Sequence, residues 1–233
     1  MSEAKPGVTL TIDGRSVTVP RGTTIWEAAR ELGIEIPVLC HSPRLRPVGV
    51  CRLCVVDLGE RVYAAACVRP AEEGMKVDAS GAEVERHRAT LTRLLLSDYP
   101  EHSAREASTG DDLLLALGRR YGVTELPFPD GMAPGAAHHA SRPRDDSSRV
   151  IAVAHEACIL CDRCIRACDE LQHNDVITRT GKGYTARIAF DLNQPMGKSS
   201  CVSCGECMAA CPTGALTNKS VAGLRLRFGA DRG

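Results

Sequence analysis

Twelve cysteines occur in the 233 residues, in three sets of four with none left over. The first set is Cys40, Cys51, Cys54 and Cys67. The second is Cys158, Cys161, Cys164 and Cys168, and the third is Cys201, Cys204, Cys207 and Cys211. The second and third share one rhythm, Cys-x2-Cys-x2-Cys-x3-Cys, and Pro212 turns the chain after the last cysteine. Three thiolates so close in sequence wrap one face of an iron–sulfur cubane and reach three of its irons from one turn of chain. Zinc sites favour separated Cys pairs over such triplets. The N-terminus, MSEAKPGVTL, has no basic region followed by an apolar one, so no signal peptide is expected and a cytoplasmic location follows. In a reducing compartment clustered cysteines bind metal or do redox chemistry more often than they form disulfides.

In two-cluster runs of this bacterial ferredoxin type the fourth cysteine serves the other cluster. One [4Fe–4S] cluster is therefore expected on Cys158, Cys161, Cys164 and Cys211, and a second on Cys168, Cys201, Cys204 and Cys207. Cys164 to Cys168 and Cys207 to Cys211 have the spacing of one helical turn. The first set reads Cys40-x10-Cys51-x2-Cys54-x12-Cys67, which is not the plant-type spacing. Four thiolates there suit a [2Fe–2S] rhomb, with a four-cysteine zinc site as the rival. Gly49, two residues before Cys51, is expected to let backbone N–H groups approach the bridging sulfides.

The elements that must carry these cysteines are partly legible. Val8–Ile12, the turn Asp13-Gly14 and Ser16–Val19 read as a hairpin. Thr24 with Glu27 forms a capping box ahead of the stripe Ile25, Ala28, Ala29 and Leu32, and Gly33 closes that helix. Val55–Leu58 and Val62–Ala66 read as a second strand pair, giving a small mixed sheet with one helix across it. Ser80 and Glu83 predict a capping box for a helix whose buried face is Val84, Leu91, Leu94 and Leu95, ending before Pro100. A further helix is expected from Asp111 to Tyr121. Residues 124–149 are rich in Pro, Gly, Ala and Ser and read as a linker, with His138 and His139 as solvated linker residues. Near the end, Leu224, Leu226 and Phe228 alternate with arginines, as a strand does.

Several functions are disfavoured. Twenty-nine basic and twenty-nine acidic residues leave no electrostatic footprint for nucleic acid. The apolar runs are too short to span a bilayer, so no membrane insertion is expected. There is no phosphate-binding glycine loop; Gly181-Lys182-Gly183 lacks the flanking glycine and the Ser/Thr. No catalytic set stands apart from the cysteines. His41 and His155, beside the first and second sets, read as solvated loop histidines, with tuning of the adjacent cluster as the alternative, and Trp26 as edge packing beside its helix stripe rather than a partner contact. A sensor that signals by cluster loss is the rival class, but no basic stripe or helix-turn-helix pattern accompanies the cysteines.

The segments IEIPVLC, GVCRLCVV and AAACVRP resemble the N-terminal [2Fe–2S] domain of the complex I large iron–sulfur subunit. That module also occurs in NAD-dependent formate dehydrogenase alpha subunits and in the diaphorase iron–sulfur subunit of NAD-reducing hydrogenases. ACILCDRCIRAC and SSCVSCGECMAACPTGAL resemble the two-cluster module that follows it in those proteins. The resemblance covers nearly the whole chain and is nearest to formate dehydrogenase. It implies an α+β architecture. Residues 1–79 would be a ubiquitin-like β-grasp [2Fe–2S] domain, 80–123 a helical bridge, 124–149 a linker and 150–233 a ferredoxin-like domain with two [4Fe–4S] clusters. It implies the ligand sets given above and electron relay between a flavin/NAD(H) subunit and a catalytic molybdopterin or NiFe subunit. One departure matters. These families place a cluster in the bridge on a His-x3-Cys-x2-Cys-x5-Cys pattern. Here His102 is followed by Glu106 and Asp112 near the cysteine positions, with about three residues missing, so no cluster is expected there and His102 reads as a surface histidine. This argues against a complex I role. The stop at Gly233, without a following large molybdopterin-type domain, resembles the short hydrogenase diaphorase subunit.

Overall fold

A computed structural model describes residues 7–100, 103–123 and 143–221. His102, the pair His138-His139 and the stretch containing Leu224, Leu226 and Phe228 lie outside the described residues. The chain divides into two units, residues 1–91 and 92–233.

In the first unit β1 (Gly7–Ile12) and β2 (Arg15–Pro20) pair antiparallel from Gly7 opposite Pro20 to Ile12 opposite Arg15. Asp13 (φ 48°) and Gly14 (φ 76°) make the turn, both with the positive φ that matches a hairpin's twist. Alternation sends Val8, Leu10 and Ile12 into the core. Helix α1 (Ile25–Glu31) starts at the expected capping box: Thr24 Oγ1 accepts from Glu27 N, and Glu27 Oε2 accepts from Thr24 N at 2.8 Å. Its stripe buries Ile25, Ala28 and Ala29, and Gly33 (φ 71°) ends it. The second strand pair is shorter than expected, β3 (Val55–Val56) with β4 (Ala64–Ala65). Asp57 leaves that ladder because it exchanges both backbone hydrogen bonds with Asp78, at 2.9 and 2.8 Å. A strand not foreseen, β5 (Lys76–Val77), runs parallel to β1, giving the sheet order β2-β1-β5.

Helix α2 (Ala82–Leu96) corrects two expectations. The capping box at Ser80 is absent because the helix begins later. Asp78 Oδ1 instead accepts from the N–H groups of Ser80 and Gly81, at 3.1 and 2.6 Å. The buried positions are Val84, Arg88 and Thr92, one per turn, while Leu94 is 48% exposed. Arg88 is tolerated inside because its guanidinium donates to Val55 O (2.7 Å), Ala79 O (2.8 Å) and Glu85 Oε1 (2.5 Å).

The second unit contains a short helix that the pattern does not announce, α3 (Ala104–Ser108), and α4 (Leu113–Arg120), which Asp112 caps. Of the expected linker, residues 143–149 are packed rather than free. Asp145 exchanges backbone hydrogen bonds with Val153, and its Oδ2 accepts from Met196 N at 2.6 Å. Two antiparallel pairs follow, β6 (Ile151–Val153) with β9 (Leu216–Asn218) and β7 (Ile177–Thr180) with β8 (Arg187–Phe190). Between them α5 (Arg163–Arg166) runs into a π turn over Ala167–Leu171, and α6 (Glu206–Ala210) mirrors it. The core of this unit joins Ile151, Val153, Phe190, Met196 and Leu216 to Cys164, Cys168, Cys207 and Cys211. Cysteines thus occupy places that larger apolar side chains fill in most cores. Both units mix helix and strand, an α+β fold. Among the described residues no helix is long and apolar enough to cross a membrane.

Candidate metal centres

The loop between α1 and β3 carries Cys40, Cys51 and Cys54, and Cys67, just after β4, joins them. Cys40 N donates to Cys51 Sγ and Cys51 N to Cys40 Sγ, both at 3.4 Å. The Cys40 thiol also meets Cys67, and Cys54 meets Cys67. Gly49 (φ 62°) makes the turn that aims Val50 N–H at the Cys40 sulfur. A side chain there would be strained, and its Cβ would press to 3.3 Å from both Val68 methyls. Cys40, Cys54 and Cys67 are buried; Cys51 is half-exposed, with the exposed Val48 and Val50 just ahead of it in sequence. His41 corrects an expectation. It is buried, its ring edge-on to Trp26 with centroids 4.5 Å apart, because Trp26 packs α1 onto the ligand loop and donates Nε1 to Ile36 O at 3.0 Å. Trp26 itself packs as expected.

In the second unit sulfurs of the two runs approach one another. Cys161 lies in the field of Cys211 and Cys158, and Cys164 in that of Cys158, Cys161, Cys211 and, most weakly, Cys207. Cys158, Cys161, Cys164 and Cys211 line one pocket, with Leu160, Ile188 and Thr213 among its walls. Cys168 lies instead in the field of Cys204 and Cys201, and Cys207 in that of Cys201, Cys204 and Cys168. Cys204 is exposed, so the second of these sites opens to solvent.

The backbone between the cysteines repeats an unusual device. Leu160 (φ 53°) and Asp162 (φ 61°) flank Cys161; Ser203 (φ 58°) and Gly205 (φ 85°) flank Cys204. Arg52 (φ 60°) sits likewise between Cys51 and Cys54. Left-handed residues alternating with ordinary ones turn successive N–H groups into one concavity, an anion nest of the kind that holds Fe–S centres. The donors reach sulfur: Ser203 N to Cys201 Sγ at 3.4 Å, Arg163 N–H to Cys161, Met208 N–H to Cys207, and Val176 and Ile177 N–H to Cys168. Arg179 grips the Asp162 carboxylate at 2.6 and 2.9 Å and holds the first nest in shape. Sequence spacing locates the cysteines but does not announce these residues; the repeated two-residue gap is the available signal. His155 is a further correction. It is buried, on a short 3-10 turn whose carbonyl accepts from Cys158 N at 3.1 Å.

Protonation argues for a positively charged guest. Burial pushes the thiols of Cys161, Cys164 and Cys168 up, and that of Cys207 to about 12. In the first set hydrogen bonds from Cys51 and Cys67 pull Cys40 well below the usual thiol range, while Cys40 pushes Cys51 and Cys67 far above it. Four clustered, mostly buried sulfurs cannot all be thiolates unless bound cations compensate them. Among the described residues no group of three or more His, Cys, Asp or Glu side chains stands at single-ion spacing. The donor set, the nests and this charge requirement fit iron–sulfur clusters. In the bridge, Glu106 pairs with Arg119 at 2.8 Å and Asp112 is wholly buried among hydroxyl and amide donors.

Residues 5–81 match the 2Fe-2S iron-sulfur cluster binding domain family and residues 146–215 the 4Fe-4S dicluster domain family. The chain thus carries matches to these two modules in series. The NADP-reducing hydrogenase subunit HndD of Solidesulfovibrio fructosivorans is 36% identical over 216 residues, covering 90% of this chain and 36% of that protein. The alpha subunit of the NADPH-Fe(3+) oxidoreductase of Geobacter sulfurreducens is 32% identical over 213 residues, covering 91% of this chain and 24% of its own length. The chain thus spans about a third or less of these relatives. A crystal structure of NAD+-reducing [NiFe]-hydrogenase in the H2-reduced state contains a chain 29% identical with a TM-score of 0.79, covering 91% of this chain and 88% of that one. The expected likeness to the iron–sulfur region of NAD-linked oxidoreductase subunits is thereby established.

Proposed function

We propose that this chain relays single electrons between a flavin/NAD(P)(H) subunit and a separate catalytic subunit. The observation that carries the reading is the convergence of two cysteine runs on nested backbone in the second unit, together with a separate four-cysteine site in the first unit. In this reading Cys40, Cys51, Cys54 and Cys67 hold a [2Fe–2S] cluster. Cys158, Cys161, Cys164 and Cys211 hold one [4Fe–4S] cluster, and Cys168, Cys201, Cys204 and Cys207 the other. The clusters supply one-electron chemistry; the protein supplies position, burial and N–H donors to sulfur, which set potential. Residues 1–79 form the [2Fe–2S] domain, 80–123 the bridge and 150–233 the two-cluster domain, with 143–149 packed onto the last rather than free. The site of action is the cytoplasm.

The motifs favour a formate dehydrogenase-type catalytic partner. A hydrogenase diaphorase role is the second reading, favoured by the 88% coverage of the hydrogenase chain. Anaerobic reconstitution tests the relay. The isolated chain should take up about 10 Fe, the sum of one [2Fe–2S] and two [4Fe–4S] clusters. It should be reduced reversibly by dithionite without cluster loss and stay oxidised with NADH or NADPH until a flavin subunit is added. Zinc alone after good reconstitution, or irreversible loss on reduction, would overturn it. Co-purification of the native complex, assayed with formate and with hydrogen, separates the two partners.

A further inference from the structure

The bridge carries a buried polar cluster that the relay does not use. Asp112 is 0% exposed. Its Oδ1 accepts from the N–H groups of Leu114 and Leu115, at 3.1 and 3.2 Å. Its Oδ2 accepts from Tyr99 Oη at 2.5 Å and Ser103 Oγ at 2.6 Å. Capping a helix needs only the first pair. The second pair faces the cysteine loop: Tyr99 Oη accepts from Gly214 N at 3.0 Å, and Leu113 N donates to Pro212 O at 2.9 Å. Gly214 is pressed so closely onto Ser103 that any side chain there would collide with Oγ. Arg105, on the neighbouring helix, holds Met208 O at 3.3 Å, beside Cys207 rather than Cys211. The stretch so gripped, from Pro212 to Gly214, directly follows Cys211, whose sulfur lies 3.3 Å from Thr213 O.

We propose that Asp112, through Tyr99 and Ser103, is a positioning residue for Cys211. It fixes Cys211, which comes to its cluster from a remote part of the chain, and sets a carboxylate behind the Pro212–Gly214 stretch that follows that sulfur. The inference rests on the ligand sets proposed above. Four donors converge on Asp112, which as a carboxylate accepts and donates none. Burial and the Asp112 carboxylate push the Tyr99 phenol up, so Tyr99 stays the donor in that bond. A fixed anion in a low-dielectric surrounding disfavours electron uptake nearby, and hydrogen bonding and net charge are what tune such clusters.

The test uses the reconstituted full chain. Iron content and the EPR of the unaltered protein check the ligand sets first, independently of the brace. Asp112→Asn, which keeps shape and removes charge, should then raise the potential of one [4Fe–4S] cluster in an EPR-monitored redox titration and leave the other where it was. Tyr99→Phe, which strands the Gly214 N–H, should speed chelator-driven loss of one [4Fe–4S] cluster several-fold, with Ser103→Ala a milder version should Tyr99→Phe fold poorly. Unchanged potentials and loss rates would overturn the proposal. So would equal changes at both [4Fe–4S] clusters, the mark of general destabilisation.

Discussion

Leu160, Asp162 and Ser203 are held in a left-handed conformation that costs a non-glycine residue about 1–2 kcal/mol each. They persist because ligands on both sides over-determine the turn. Gly205 is the one position of the set where glycine relieves that cost. Gly205→Ala meets nothing nearer than Met208 Cε at 3.7 Å, so its penalty is conformational, about 1–2 kcal/mol. Denaturant unfolding of the reconstituted protein should report that loss. Cys168→Ala probes the crosswise arrangement at the same scale. It should damage the cluster on Cys201, Cys204 and Cys207 and spare the one on Cys158, Cys161 and Cys164, as read by iron content and Mössbauer spectra. Loss confined to its own run would refute the crossing. The cysteines are legible in the sequence because ligand spacing is local. The nests are not, because nothing in Leu160 or Ser203 as residue types announces a positive φ. His41 and His155 depart from expectation for a related reason: an imidazole reads as polar, whereas its burial here comes from Trp26 in one case and a tight turn in the other.

At the scale of elements, Arg88 is the informative departure. The leucines of α2 suggest a buried stripe, yet its inward row is Val84, Arg88 and Thr92. The pattern misleads because two of the acceptors that compensate Arg88, Ala79 O and Val55 O, lie outside the helix. Its bonds to Val55 O and Ala79 O tie the helix to the strand that follows Cys54. Arg88→Met should therefore destabilise by about 2–4 kcal/mol, since buried carbonyls lose their donors. The [2Fe–2S] visible circular dichroism should be lost at lower denaturant concentration, with the [4Fe–4S] absorbance less affected. The hairpin, α1 and α4 are readable because turn residues, capping boxes and helix stripes are short-range signals. The parallel strand β5 and the packed stretch 143–149 are not, because pairing with β1 and packing against Met196 are decided at long range.

For the whole molecule, the clusters and the fold stand or fall together, as ligand binding and folding are coupled. The chain has only 3 Phe, 1 Trp and 4 Tyr, and four of its cysteines sit in the core of the second unit. Removing iron with a chelator should collapse the near-UV signal of that unit first. The first unit has its own core of Leu10, Ile12, Ile25 and Trp26 and should keep its sheet. Limited proteolysis after chelation would show which unit opens; simultaneous digestion of both would contradict the expectation.

The proposed exchange of Cys168 and Cys211 between clusters also has a consequence in time. A ribosome delivers Cys158, Cys161 and Cys164 well before Cys211. At about 5–20 residues per second the wait lasts several seconds. Until Cys207 emerges, neither of the proposed ligand sets is complete. A three-thiolate nest, emerging first, stands with one corner unclaimed. Whatever loads iron onto this chain must therefore wait for the last cysteine or guard a half-built site until it arrives.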